Sequence, residues 1–309
     1  MPYPIRDGRI WTRTLEYSAA YHCNLRCADC SHLSPYTTAP LPSVSSLAAD
    51  LKRLATALHT PEFRLLGGEP LLNPNLAEMA RTVRASGIAD TVAVTTNGLL
   101  LHQMDEALWQ HIDKLRVTIY PEATPSAETV EWVEARARET GTTLCVTRRP
   151  RFRALALTEP QPNDLTARLI FMACQSAHVR QCHVFGDGLL FRCAVPLGLP
   201  EFLGRMGRTG YDAARDGLDL HASGDLLTRL RAFLTDRTPP ECCCYCLGDA
   251  GGLIPHRQLT RAESDNPALR PVTRATHLSR TRLLRGLAVR CSGEPKHRLG
   301  RLAPQAPFP

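Results

Sequence analysis

The 309-residue sequence predicts an α/β protein: a partial (β/α)6 barrel over residues 1–155, a small cysteine-rich region over 156–255, and a basic tail over 256–309. Three observations predict it. From Leu15 to Val146 short β-like runs alternate with amphipathic helical stretches, the rhythm of parallel strands joined by crossover helices. The residues that invite chemistry recur just after those runs, where active sites of such sheets gather. Ten of the twelve cysteines fall into three groups, at 23–30, 174–193 and 242–246. At 43% hydrophobic the chain can bury a full core, with two compact units as the ceiling.

The expected strands are residues 14–20 (TLEYSAA), 63–66 (FRLL), 91–96 (TVAVTT), 115–120 (LRVTIY) and 142–146 (TTLCV), with room for a sixth after residue 150. Helices are expected between them. Residues 44–59 follow Ser43, a good cap; 75–86 end at Gly87; 103–112 are short; 126–140 end at Gly141. A composition rich in Arg, Pro and Asn at 150–165 marks a linker, and VRQCHVFGDGLLFRC has hairpin character with Gly186-Asp187-Gly188 as its turn. Beyond Pro255 periodicity is weak apart from a short helix near 278–289, so the tail is expected to be disordered.

Charge and hydropathy exclude some classes. No stretch approaches the roughly 18 apolar residues of a membrane helix, and the start lacks the apolar run of a secretory signal. A cytoplasmic protein without a membrane partner is expected. The net charge of +7 is concentrated: residues 256–309 carry eleven Lys or Arg against three acids, leaving the rest at −1. No aromatic residues interleave these arginines, so they read as a solvated tail rather than a nucleic-acid surface. In a reducing compartment clustered cysteines indicate metal or redox chemistry before cross-links.

Cys23, Cys27 and Cys30 form a C-x3-C-x2-C triplet after the first strand. Three thiolates can anchor three corners of a cubane and leave the fourth iron open to a ligand. A structural zinc site is the alternative reading of the triplet alone. Gly67-Gly68-Glu69-Pro70 follows the second strand, Thr96-Asn97-Gly98 the third, and Tyr120-Pro121-Glu122 the fourth. Motifs converging on one rim support a single site.

Taken together, the triplet and the GGEP segment resemble the radical S-adenosylmethionine (SAM) superfamily over about residues 14–250. The resemblance implies that Cys23, Cys27 and Cys30 bind a 4Fe-4S cluster whose free iron chelates SAM, and that reductive cleavage yields a 5′-deoxyadenosyl radical. It implies that Gly67, Gly68, Glu69 and Pro70 lie along the methionine moiety, with the Glu69 carboxylate beside its ammonium, and that Asn97 sits near the SAM pocket. The residue before the third cysteine is usually aromatic in that family and helps seat the adenine. Here it is Asp29, whose backbone groups are left for the adenine contact. His32 is a candidate donor to the cluster or substrate, or a satisfied loop histidine.

The second cysteine group resembles the "SPASM" and shorter "twitch" extensions of the superfamily, which implies an auxiliary 4Fe-4S cluster on Cys174, Cys193, Cys243 and Cys246. Cys182 is an alternative to Cys174, and Cys242 or Cys244 to a member of the pair. Four thiolates equally permit a structural zinc. Glu122, Arg148, Arg149, Arg151 and Arg153 lie near strand ends where substrate groups could sit, or on a solvated surface. The expected substrate is a small molecule, such as a sugar, aminocyclitol or nucleoside of antibiotic biosynthesis. Oxidation, epimerisation (with Cys182 or Cys145 as a hydrogen donor) or decarboxylation would follow hydrogen abstraction. Flavodoxin or ferredoxin is the expected electron donor. The alternative is a peptide-modifying maturase, whose acidic leader the basic tail could dock.

Overall fold

The computed structural model describes residues 3–291, with side chains to residue 290; expectations for the last 18 positions lie outside these residues. Two short antiparallel strands, β1 (Ile5–Arg6) and β2 (Arg9–Trp11), lead into β3 (Thr14–Ala20), α1 (Val44–Leu54), β4 (Leu58–Gly67), α2 (Leu76–Ser86) and β5 (Ala89–Thr96). Then come β6 (Lys114–Ile119), α3 (Ala127–Thr140) and β7 (Thr143–Arg148). The strands β3 to β7 pair in sequence order, all parallel.

Period-two alternation decides the faces of these strands. Leu15, Tyr17, Phe63, Leu65, Val92 and Val94 join one core with Leu47 and Leu51 of α1, Met79 and Val83 of α2 and Val133 of α3. The intervening positions on β3, β4 and β6 carry charge. Arg64 bonds Glu16 at 3.2 Å and Glu62 at 2.6 Å, and Glu62 also accepts from Lys114 at 2.9 Å and Arg116 at 2.7 Å. Burial opposes ionisation of Glu62, but Arg116, Lys114 and Arg64 hold it at about 2. The Ser43 side chain accepts from Ser46 N at the start of α1, and Gly87 (φ 65°) and Gly141 (φ 73°) end α2 and α3 as read from sequence.

Two expected helices change. α1 stops at Leu54 instead of reaching residue 59, because Leu58 and His59 pair with Ile10 and Trp11 in parallel register. The expected 103–112 helix is two 3-10 turns, Leu101–Gln103 and Glu106–Gln110.

Downstream lie β8 (Arg151–Arg153), α4 (Leu165–Ala173), β9 (Cys182–Gly186), β10 (Leu189–Phe191), α5 (Val195–Gly204), β11 (Leu218–Asp219), α6 (Leu226–Thr235) and β12 (Leu253–Pro255). The strand after residue 150 is present as β8, but it pairs with β12 in a separate two-stranded sheet. The sixth parallel strand is β9, which docks on the opposite edge, against β3. β9 and β10 form the expected hairpin, with Asp187 (φ 52°) and Gly188 (φ 79°) as its two-residue turn. Packing does not divide at residue 155. Phe185, Leu190 and Leu230 belong to the main core, while Leu155 and Ala156 pack with Leu33, Val195 and Cys242.

The tail expectation is corrected over residues 256–291. Leu259 is buried in the second core, α7 (Arg261–Asp265) starts with a capping box of Thr260 and Glu263, and α8 (Arg274–His277) and α9 (Arg280–Cys291) follow. Val272 and Leu283 close a third core against Ile170 and Leu247. Three of the arginines are bonded to the body, Arg270 to Asp29, Arg274 to Asp164 at 2.9 Å and Arg282 to the Asp249 carbonyl at 3.2 Å, while Arg261, Arg280 and Arg285 are exposed. Ending the chain at Pro255 is therefore expected to lower the thermal midpoint by at least about 5 °C; an unchanged melting curve would restore the disordered-tail reading.

Candidate active site

The loop after β3 and the turns after β4 and β5 meet at the carboxyl ends of the strands. Gly68 N donates to the Ala20 carbonyl at 2.7 Å and Glu69 N to the His22 carbonyl at 3.1 Å. Only glycine fits here. A Cβ on Gly68 would stand 1.9 Å from the His22 carbonyl oxygen, and one on Gly67, whose φ is 124°, 2.2 Å from that of Ala20. The strand-end backbones are thus locked at van der Waals contact.

A cavity of about 180 Å³ opens between them, lined by Cys23, Cys27, Cys30, Gly67, Gly68 and Asn97, with Thr118, Tyr120 and Phe152 on its far wall. The thiols have donors beside them. Cys23 Sγ accepts from Leu25 N at 3.4 Å and from Asn97 Nδ2 at 3.7 Å; Cys27 Sγ has His256 Nε2 at 3.2 Å and Gln258 Nε2 at 3.6 Å. His256 is stacked on Tyr120, with ring centroids 4.9 Å apart. His256 and Gln258 were missed by sequence reasoning, because they lie in the arginine-rich segment with no periodic signal. Burial pushes the Cys27 thiol up to about 12 and raises Cys23 further, so ionising them calls for a cation at the site.

Three expected site residues do not line the cavity. Pro70 is buried at the start of a 3-10 turn, Pro70–Leu72. The Glu69 carboxylate, expected beside a ligand ammonium, is fully buried and faces the protein. It accepts from Thr96 Oγ1 at 2.6 Å, Asn97 N at 2.9 Å and Leu71 N at 3.1 Å. Asp29 adopts a left-handed conformation (φ 60°), and its carboxylate turns away to Leu155 N at 3.2 Å and to Arg270. His32 lines the cavity with Nδ1 unpartnered, and burial lowers it to about 4, which keeps it neutral. Glu122 accepts from Gln258 N at 3.2 Å and Arg153 pairs with Asp249 at 3.0 Å, while Arg148, Arg149 and Arg151 are exposed.

The second thiol group also converges. Cys193, Cys242, Cys243 and Cys246 pack against one apolar cluster. The Cys242 thiol bonds both Cys193 and Cys243, which holds Cys193 down and pushes Cys242 up. Gly248 joins the remaining members: its N donates to Cys246 Sγ at 3.2 Å, and its open α-carbon face lets Cys174 Sγ approach to 3.5 Å of a Cβ position. The 242–246 turn is held from both sides. Asp216 accepts from Glu241 N at 2.6 Å and Cys242 N at 2.7 Å, and Gln161 Nε2 donates to the carbonyls of Cys243 at 2.8 Å and Cys246 at 3.0 Å. Cys182 stands apart, bonded to Glu16. Among the described residues no group of three or more Cys, His, Asp or Glu side chains is placed so that it could hold a metal ion. The donor sets fit iron-sulfur chemistry: soft thiols grouped on short loops, with N–H donors in reach of the first group's sulfurs and of Cys246.

Residues 17–139 match the family model described as the Radical SAM superfamily, so this segment is similar to that superfamily. Among curated proteins, it is 37% identical over 100 residues to GTP 3′,8-cyclase of Chlorobaculum tepidum, covering 31% of this chain and 30% of that protein. It is 39% identical over 95 residues to GTP 3′,8-cyclase 1 of Mycobacterium tuberculosis, covering 28% and 26%. The matches thus span less than a third of these relatives' length. Among solved structures, BtrN in complex with AdoMet and 2-DOIA aligns over 77% of this chain and 93% of its own, at 15% identity and a TM-score of 0.44. The family implies a 4Fe-4S cluster and SAM. No helix of the described residues is long and apolar enough to cross a membrane.

Burial, stronger than its three hydrogen bonds, raises Glu69 from 4.5 to about 7. A raised carboxyl favours the folded state below its unfolded value, and that contribution is lost as pH rises through the folded value. Glu69 therefore contributes a loss of stability between pH 4.5 and about 7, against the gain from His32 and His183, which burial lowers to about 4, and Glu69→Gln is expected to remove that loss and make the slope over this window more positive than in the wild type. Denaturant midpoints across this window check it; equal slopes in both proteins would contradict the assignment.

Proposed function

We propose that the chain reductively cleaves S-adenosylmethionine and abstracts hydrogen from a small natural-product substrate of the sugar, aminocyclitol or nucleoside class, leading to oxidation, epimerisation or decarboxylation. The observation that carries this reading is the convergence of Cys23, Cys27 and Cys30 with Gly67, Gly68 and Asn97 on one cavity. When bound, a 4Fe-4S cluster supplies one electron to the sulfonium and an open iron for the amino and carboxylate groups of SAM. The three thiolates hold it. Asn97, His256 and Gln258 place polar hydrogens and a ring nitrogen beside the sulfurs, where such contacts tune the reduction potential. Leu66, Tyr120 and Phe152 give the cavity an apolar wall that limits water, and the neutral His32 offers a hydrogen-bonding group without charge.

Cys174, Cys193, Cys243 and Cys246 are proposed to hold an auxiliary 4Fe-4S cluster of the twitch type, with Cys242 as a hydrogen-bonded neighbour. Those four thiolates would hold a group able to accept the second electron if an alcohol is oxidised. Flavodoxin or ferredoxin is the proposed donor of the first. The small-substrate reading gains support from the tail arginines. Arg257, Arg270, Arg274 and Arg282 bond Glu263, Asp29, Asp164 and the Asp249 carbonyl, which withdraws these four from docking a peptide leader and leaves Arg261, Arg280 and Arg285 exposed.

The test is anaerobic reconstitution with iron and sulfide counting and a 5′-deoxyadenosine assay under reductant. The wild type is expected to bind about eight irons per chain. The Cys23, Cys27, Cys30 triple alanine variant should lose about half of them and all deoxyadenosine formation. The Cys174, Cys193, Cys243, Cys246 variant should lose the other half. A filled cluster that cleaves no SAM, with candidate substrates present, would contradict the proposal.

A further inference from the structure

A second cavity, of about 830 Å³, lies at the other end of the parallel sheet. Thr12 and Arg13 on its wall precede β3, Gln181 precedes β9, and Asp236 and Arg237 follow α6. The cysteine loop follows the far end of β3, so the seven residues of that strand separate the two sites by roughly 20 Å.

The wall is electropositive. Arg6, Arg13, Arg237 and Arg290 line it against one acid among the described lining residues, Asp236. Arg192, only 5% exposed, is not a lining residue but acts on Tyr3, His178 and Asp236 of the wall. Its guanidinium donates to the Phe233 carbonyl and rests on the rings of Phe171 and Phe233, 5.6 and 5.4 Å from their centroids. Nη1 has no hydrogen-bond partner, and the charge of Asp236 reaches this side chain without a hydrogen bond to it. A guanidinium does not shed its proton, so a buried unpaired one is costly unless an anion meets it. Thr12 Oγ1, on a residue 3% exposed, and Trp11 Nε1 are also buried without a partner. Hydroxyl and indole N–H are further donors, and Trp11, Pro4, Pro61 and Leu234 supply apolar wall for the body of a ligand.

We propose that this cavity is a second ligand site, distinct from the cysteine-lined one, that takes a small organic phosphate with its oxyanion toward the arginines. Several guanidiniums with few acids match the charge and multiple acceptors of a phosphate better than those of a carboxylate. The volume falls in the range of small-molecule pockets, which favours such a ligand over a flat acidic protein surface.

The test is calorimetric titration of the reconstituted full chain with phenyl phosphate, and with benzoate as the carboxylate of similar body, at fixed ionic strength. Saturable binding of phenyl phosphate is expected with a dissociation constant of about 1 mM or tighter, and at least about tenfold weaker binding of benzoate. Arg192→Met and Arg237→Glu should each weaken phenyl phosphate at least about tenfold. Arg237 is exposed, so its variant keeps the test intact if Arg192→Met fails to fold. No saturable binding, benzoate as tight as phenyl phosphate, or wild-type affinity in Arg237→Glu would each overturn the proposal.

Discussion

The hydrogen bonds from Gly68 N to the Ala20 carbonyl and from Glu69 N to the His22 carbonyl tie the turn after β4 to the loop after β3, and the site hangs from that tie. They hold two backbones so close that neither glycine can carry a Cβ. Cys23 follows His22 directly, so the same contact sets where the first thiol begins. Glu69 extends the lock sideways, since its carboxylate collects Thr96 Oγ1 and Asn97 N and so fixes the turn after β5. Asn97 then returns to Cys23 Sγ. Three strand ends are joined by one continuous set of bonds, and the thiols line the space inside it.

Seen this way, the buried carboxylate serves the scaffold. A charge facing a ligand would be a plausible use of glutamate beside glycines, but the donors of the neighbouring turn compete for it and win because they are built in. The same logic explains Asp29, which sits within the cysteine loop yet anchors that loop to Leu155 N and Arg270. Residues 256–259 press on the loop from outside through His256, Gln258 and Leu259. The arginine-rich segment therefore belongs to the architecture of the first thiol group.

Local pattern made much of this legible. β3 spans the residues that alternation marks, the capping Ser43 and the helix-ending Gly87 and Gly141 do what their chemistry suggests, and the Asp187-Gly188 turn closes its hairpin. The triplet and GGEP segment identified the superfamily that the family model also matches. What escaped was long-range. Thr14 pairs with Cys182 across most of the chain, and no local signal announces that β9 closes the β3 edge. The tail escaped because its burial is secured by scattered ion pairs and a few apolar residues, so no periodicity shows. The direction in which Glu69 points is likewise a property of the Thr96-Asn97 turn, not of its own motif.

The lock between the two loops is tested most directly by electron paramagnetic resonance of the reduced, reconstituted protein with and without SAM, in the wild type and in Gly68→Ala. Gly204→Ala, where a Cβ meets no atom within 4 Å and φ is not positive, is the control for replacing such a glycine. The account predicts a cluster signal that changes on adding SAM in the wild type and the control, and no such response in Gly68→Ala although the chain remains folded by circular dichroism. A wild-type SAM response in Gly68→Ala would contradict it.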